Sequence, residues 1–314
     1  MAQRDAADRL RRLAGPIVVA AFLAGVGLVV ALTGAAGPAP SVWARALALG
    51  AAVLLVGLGS LAPLGADASV RLIGASAAVW LAGEVVAVWL SVADQSGRAA
   101  AAVPVDDFLA AWSARPGALI AVACASGVAV WAAATLVGRV DGAPVVVAGL
   151  AGLGLVAGAV GGHAGAHALA PIVVGVHAVA AAWWCGTLMA LGLSVRGRAG
   201  WARALPRFSD WALWAVAALA VSGVVAAAIT LDVFGAAGVS VLWSSGYGRV
   251  VVAKALALIG LIALAAWHRR RWVPVVERHR GSAEDSVKRA AVEVVLMAVA
   301  LGLAAGLAGT APPG

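Results

Sequence analysis

The sequence predicts an all-α, polytopic membrane helix bundle of about nine transmembrane helices, with the N-terminus cytoplasmic and the C-terminus extracytoplasmic. Three observations carry that expectation. Of the 314 residues, 63% are hydrophobic and only 11% charged, and the mean hydropathy is +1.01. A water-soluble domain of this make-up would expose large apolar patches. The second observation is a set of apolar runs long enough to cross a hydrocarbon core of about 30 Å at about 1.5 Å per residue. They fall at 16–32, 42–64, 70–92, 116–138, 143–162, 171–194, 208–231, 247–267 and 287–308. The third is the placement of arginine. Arg4, Arg9, Arg11 and Arg12 precede the first run; Arg196, Arg198, Arg203 and Arg207 separate the sixth and seventh; Arg269, Arg270, Arg271, Arg278, Arg280, Lys288 and Arg289 separate the eighth and ninth. Nine spans bring all three clusters to one face, as the positive-inside rule requires of a cytoplasmic N-terminus.

Taken in chain order, the first run follows Arg11-Arg12 and resembles a signal sequence, but eight further runs make an uncleaved anchor the better reading. Runs two to four enclose the longest outer connection, 93–115. Within it Pro104, Asp106 and Asp107 predict the start of a short helix, with the acidic pair favouring its N-terminus and Phe108, Leu109 and Trp112 resting on the interface. The fifth run carries Gly154, Gly158 and Gly162 at four-residue intervals, a small-residue stripe suited to close helix packing and leading up to His163. Pro171 restarts the chain as the sixth run. Of the thirteen tryptophans, Trp43, Trp89, Trp112, Trp243, Trp267 and Trp272 lie near run ends, as interfacial anchors do. The chain divides into a four-span region, 1–142, and a five-span region, 143–314.

The net charge of +8 follows the arginine clusters and does not form a nucleic-acid surface. Cys124 and Cys185 fall in different spans and offer no disulfide framework. No nucleotide-binding loop is present, so any transport is passive or ion-coupled and the chain is not read as an enzyme. Absence of asparagine, with two lysines against twenty arginines, fits a GC-rich bacterial genome.

Chemistry concentrates in the histidines. His163, His167 and His177 fall within fifteen residues, and neutral imidazole is a common transition-metal ligand. His163 and His167 are four apart, able to meet one metal whether as a helical turn or as a loop; solvated loop residues are the bland alternative. His177 lies about 9 Å inside its helix, Glu84 about 12 Å and Lys254 about 10 Å from the same outer side. Buried charges at such depth must pair, neutralise or face water. A structural Glu84–Lys254 ion pair and an outward-opening polar chamber with His177 on its wall both remain open. Cys185, eight residues beyond His177, is a weaker inner relay ligand. Glu293 sits a turn inside the last span beside Met297.

These pieces, in order, resemble the copper resistance protein D (CopD) family: Gly162-His163, Pro171, His177 with Trp183-Trp184-Cys185-Gly186, Arg207-Phe208-Ser209, Ser222-Gly223, Tyr247-Gly248 with Lys254, Glu293 and Thr310-Ala311. The resemblance covers roughly 150–314. It is of the actinobacterial form, often followed by a cytochrome c oxidase assembly region of the CtaG type; the chain ends where that region would begin, so a stand-alone protein and a truncated fusion are both open. Cys185 stands where the family often has glycine. The resemblance implies a copper-handling, non-enzymatic inner-membrane protein importing or transferring copper, with an extracytoplasmic copper-binding protein or a CtaG-like factor as partner. On that reading, copper ion is received by His163, His167 and His177, with Glu84 and Lys254 serving the path. A haem-binding redox protein using facing histidines and a non-transporting copper-delivery or oxidase-assembly factor are the alternatives.

Overall fold

The computed structural model describes residues 2–34, 39–160, 169–231, 238–278 and 280–308. These residues form helices joined by short turns: α1 (Ala2–Thr33), α2 (Pro40–Gly59), α3 (Val70–Ser96), α4 (Val105–Ser113), α5 (Pro116–Leu136), α6 (Val145–Val160), α7 (Ala170–Ser194), α8 (Gly197–Thr230), α9 (Val241–Ser244), α10 (Gly246–Arg271), α11 (Val273–Glu277) and α12 (Ala283–Ala308). There is no strand among them. Eight helices are long and apolar enough to cross a membrane, and α6, with sixteen residues, is a shorter apolar helix where the fifth run was expected. The chain is a multi-pass membrane protein. The short outer helix is present as α4, with Asp106 and Asp107 in its first turn. Asp107 is also held by Arg98 at 2.9 Å, and Phe108 lies 5.0 Å from Trp89, ring centre to ring centre.

Helices wholly in hydrocarbon gain little from hydrophobic segregation, so close contact between small residues has to hold them together. Gly57 of α2 and Gly186 of α7 meet backbone to backbone, and a Cβ on either would overlap the other helix's main chain. Gly25 of α1 and Gly302 of α12 repeat that arrangement. Around the first crossing lies the main core, with Leu55, Leu58, Trp80, Trp184 and Leu188 fully buried. The second joins the first helix of the chain to the last, and α1 packs along α12 more extensively than any other pair. The predicted stripe on α6 behaves differently from expectation. Gly154 admits the Trp80 ring, whereas Gly158 faces open space and Gly162 lies outside the described residues.

Three basic segments gather at one end of the bundle, each tied to a neighbouring element by hydrogen bonds. Arg11 donates to the carbonyls of Gly192 (2.9 Å) and Val195 (2.6 Å) at the end of α7; cations are favoured at helix C-termini. Arg203 donates to Gly65 at 3.0 Å, and Arg269 to Ser209 and Asp210 at 2.7 and 2.9 Å. At the other end Arg249 caps α1 through Leu32 at 2.8 Å.

Two local expectations are corrected. The sixth and seventh runs were expected to be joined by an arginine-rich connection, but α8 begins at Gly197 and continues through Pro206. Trp201, Ala204 and Leu205 are buried there, so an amphipathic turn docks on the core and extends the span inward. Trp272 is no interfacial anchor. It is 4% exposed and packs 5.9 Å from Trp201.

Candidate functional site

His177 faces α8 from its place on α7. Its Nδ1 lies 3.2 Å from Ser222 Oγ. The Ser222 hydroxyl donates its one proton back to the Ala218 carbonyl at 2.5 Å, which leaves Oγ lone pairs for the imidazole. With the Ser222 proton assigned to Ala218, Nδ1 is the donor in the contact to Oγ and Nε2 is the unprotonated ring nitrogen. This is the tautomer a metal-ligating histidine needs, with its second nitrogen fixed by an outer hydrogen bond. Gly223 makes the approach possible, since a Cβ there would stand 3.1 Å from the ring's Cε1. The Ser222-Gly223 pair thus has a physical reason: one residue orients the ring and the next makes room for it.

Lys254, partly buried on α10, is close enough for its charge to act on His177. His177 and Ser222 meet between α7 and α8, and Lys254 reaches them from α10 through its charge alone. α8 and α10 touch each other only sparsely, since α8 packs mainly on α7 and α10 mainly on α12. A positive charge on Lys254 that acts on the imidazole also opposes a cation bound to that ring. Replacing Lys254 with Met is expected to tighten copper binding at His177 by roughly tenfold, the scale of a partly screened repulsion between unit charges. Competition against a copper chelator on the purified protein measures it, and unchanged affinity would remove Lys254 from the site.

The expected pairing of Glu84 with Lys254 is not formed. Glu84 is half-buried on α3, a helix that packs on α2 and α5, and the charge acting on it is Arg45 of α2. The two acidic and basic groups share a depth in sequence but not a neighbourhood in space. The large recess beside α7 is apolar, about 650 Å³, and is lined by Val156, Pro171, Gly175, Val179 and Ala218 among others. Cys185 is buried in the main core, next to the Gly186 crossing. His163 and His167 lie outside the described residues, and no cluster of three or more His, Cys, Asp or Glu side chains occurs among the described ones.

Sequence reading missed a second polar pair. His268 Nδ1 of α10 is hydrogen-bonded to Glu293 Oε1 of α12, and each residue is only 4% exposed. Trp267 and Trp272 enclose the imidazole with ring centres 5.0 and 5.3 Å away. His268 sits in the last turn of α10 beside Arg269, Arg270 and Arg271, where it reads as one more cytoplasmic cation. The signal that could have found it is Glu293, an acid inside an apolar span that needs a partner.

Fold and site together define a multi-pass membrane protein carrying an imidazole held between two helices by a serine. Residues 202–307, which include Ser222, Gly223, Lys254, His268 and Glu293, match the family model of copper resistance protein D. No curated protein and no solved structure matched the chain.

Proposed function

We propose that this protein handles copper at a bacterial inner membrane, receiving the ion on its extracytoplasmic side at His177 and passing it inward. The observation that carries the reading is His177 held by Ser222 across α7 and α8 and within the influence of the Lys254 charge, with both partners in the segment similar to copper resistance protein D. A neutral imidazole suits copper, and a weakening charge beside it suits transfer better than storage. His163 and His167, just before α7 in sequence, act as collecting ligands. Glu84 with Arg45 belongs to the scaffold in this scheme, and Cys185 serves as an inner ligand only if α2 and α7 separate. The five-span region, 143–314, carries the path and the four-span region, 1–142, supports it through the α2–α7 crossing. With the arginine-rich end cytoplasmic, His177 lies near the outer end. An extracytoplasmic copper-binding protein supplies the ion, and a CtaG-like factor is a receiver.

The test is elemental analysis for copper and iron on detergent-purified protein after equal copper exposure. Wild type is expected to retain copper, and His177→Ala to lose at least tenfold in affinity, the loss expected when an essential ligand of a site with few ligands is removed. Equal copper in both proteins would return His177 to a packing role, and iron in place of copper would favour the haem reading. Uptake into sealed proteoliposomes then separates transport from delivery without translocation.

A further inference from the structure

The buried His268–Glu293 pair is unused by the outer site. It lies fourteen residues along α10 from Lys254, about 21 Å toward the arginine-rich end. Each side chain has the other as its side-chain hydrogen-bond partner among the described residues. Arg289 lies over the Trp267 ring at 5.4 Å, and Arg269 is engaged by Asp210, so the cations nearby have other partners. As a clamp between α10 and α12 the pair is an inefficient choice, because well-packed apolar residues hold helices as well without burying ionisable groups. Met297 shares the α12 face of Glu293 by its four-residue spacing. It is 1% exposed and stands one turn beyond Glu293, within side-chain reach of it.

We propose that His268, Glu293 and Met297 form a second, inner copper(I) site, in which the metal exchanges with the proton shared by the pair. The inference deepens the copper reading and rests on it. Imidazole nitrogen and thioether sulfur are ligands that suit Cu(I), and the carboxylate supplies compensating charge. In the neutral pair one proton lies between Nδ1 and Oε1 while Nε2 keeps its own. Cu(I) entering among Nδ1, Oε1 and Met297 Sδ displaces that one proton to water at the arginine-rich end. One positive charge replaces another, no electron moves, and the buried site stays neutral. The exchange gives copper at this end a way to be bound and released by proton supply.

The experiment uses the full chain, purified in detergent, with His163, His167 and His177 all changed to Ala so that the outer candidates are removed. Cu(I) is added anaerobically from a chromogenic chelator complex, with a pH indicator in weakly buffered solution. The triple variant is expected to retain one copper equivalent and to release about one proton with it, since ligands must give up protons to bind metal. Adding Glu293→Gln or Met297→Leu is expected to weaken that binding at least tenfold, and Glu293→Gln to abolish the proton release; Glu293→Asp restores both in part. Met297→Leu keeps volume and leaves the ion pair in place, so it decides the matter even if Glu293→Gln fails to fold. A triple variant that retains no copper, or retained copper indifferent to Met297→Leu, overturns the inner site. Equal copper in wild type and triple variant would instead sink the outer site while leaving this one standing.

Discussion

Gly186→Val is expected to destabilise the protein by about 3 kcal/mol or more, at the upper end of the cost of overpacking a close-packed core. At Gly186 the obstacle is main chain. The new Cβ would overlap the carbonyl of Val53, and the reciprocal contact from Gly57 has the same character. A backbone cannot rotate away as a flexible side chain can, so α2 and α7 would have to separate and open the core containing Leu55, Trp184 and Leu188. The informative control is Gly158→Val. That glycine also belongs to a four-residue small-residue stripe, yet among the described residues no atom of a neighbouring element lies within 4 Å of where its Cβ would be, and the change is expected to stay within about 0.5 kcal/mol. Thermal unfolding in detergent, followed by tryptophan fluorescence and size-exclusion chromatography, compares the two. Equal stability of the variants would mean that the α2–α7 crossing does not hold the bundle together.

That contrast shows what hydropathy carries and what it does not. The order of the apolar helices follows from length and apolarity, because a helix must cover a fixed thickness with residues that tolerate hydrocarbon; of nine expected spans, eight have crossing length and α6 is shorter. The charged ends follow from the arginine pattern, and the contacts of Arg11, Arg203 and Arg269 bring those clusters to one end. Which face of a helix meets which neighbour is not written in mean hydropathy, since the lipid-facing and buried surfaces are both apolar. The glycines of α6 therefore looked equivalent, although Trp80 fills the space beside only one of them.

The polar residues show the same limit. Depth along a span placed Glu84 and Lys254 together, but they project from helices with different neighbours, and Arg45 serves Glu84 instead. His177 was legible as a buried imidazole in a histidine-rich stretch. Its orientation was not, because Ser222 lies 45 positions away and the tautomer depends on what the serine does with its own proton. The continuation of α8 into the basic connection was hidden by Arg198, Arg203 and Arg207, whose charges mask the buried side of Trp201 and Leu205.

The His268–Glu293 pair provides the second large effect, and its sign differs among three variants. His268→Leu leaves a carboxylate buried between α10 and α12 with no partner, and is expected to cost about 3–5 kcal/mol, the usual loss when one member of a buried ion pair is removed. Glu293→Leu leaves an imidazole, which can shed its charge and then lacks only a hydrogen-bond acceptor, so about 1–3 kcal/mol is expected. The double variant removes both polar groups and fills the space between Trp267, Trp272 and α12 with hydrocarbon; it is expected to lie within about 1 kcal/mol of wild type or above it, because apolar replacements of whole buried pairs are often neutral or stabilising. Thermal unfolding of all four proteins closes the cycle. A double variant as unstable as the sum of the singles would show that the two residues act independently. A stable double variant separates stability from purpose: the bundle would stand without the pair, and stability alone would not account for burying an acid and an imidazole there.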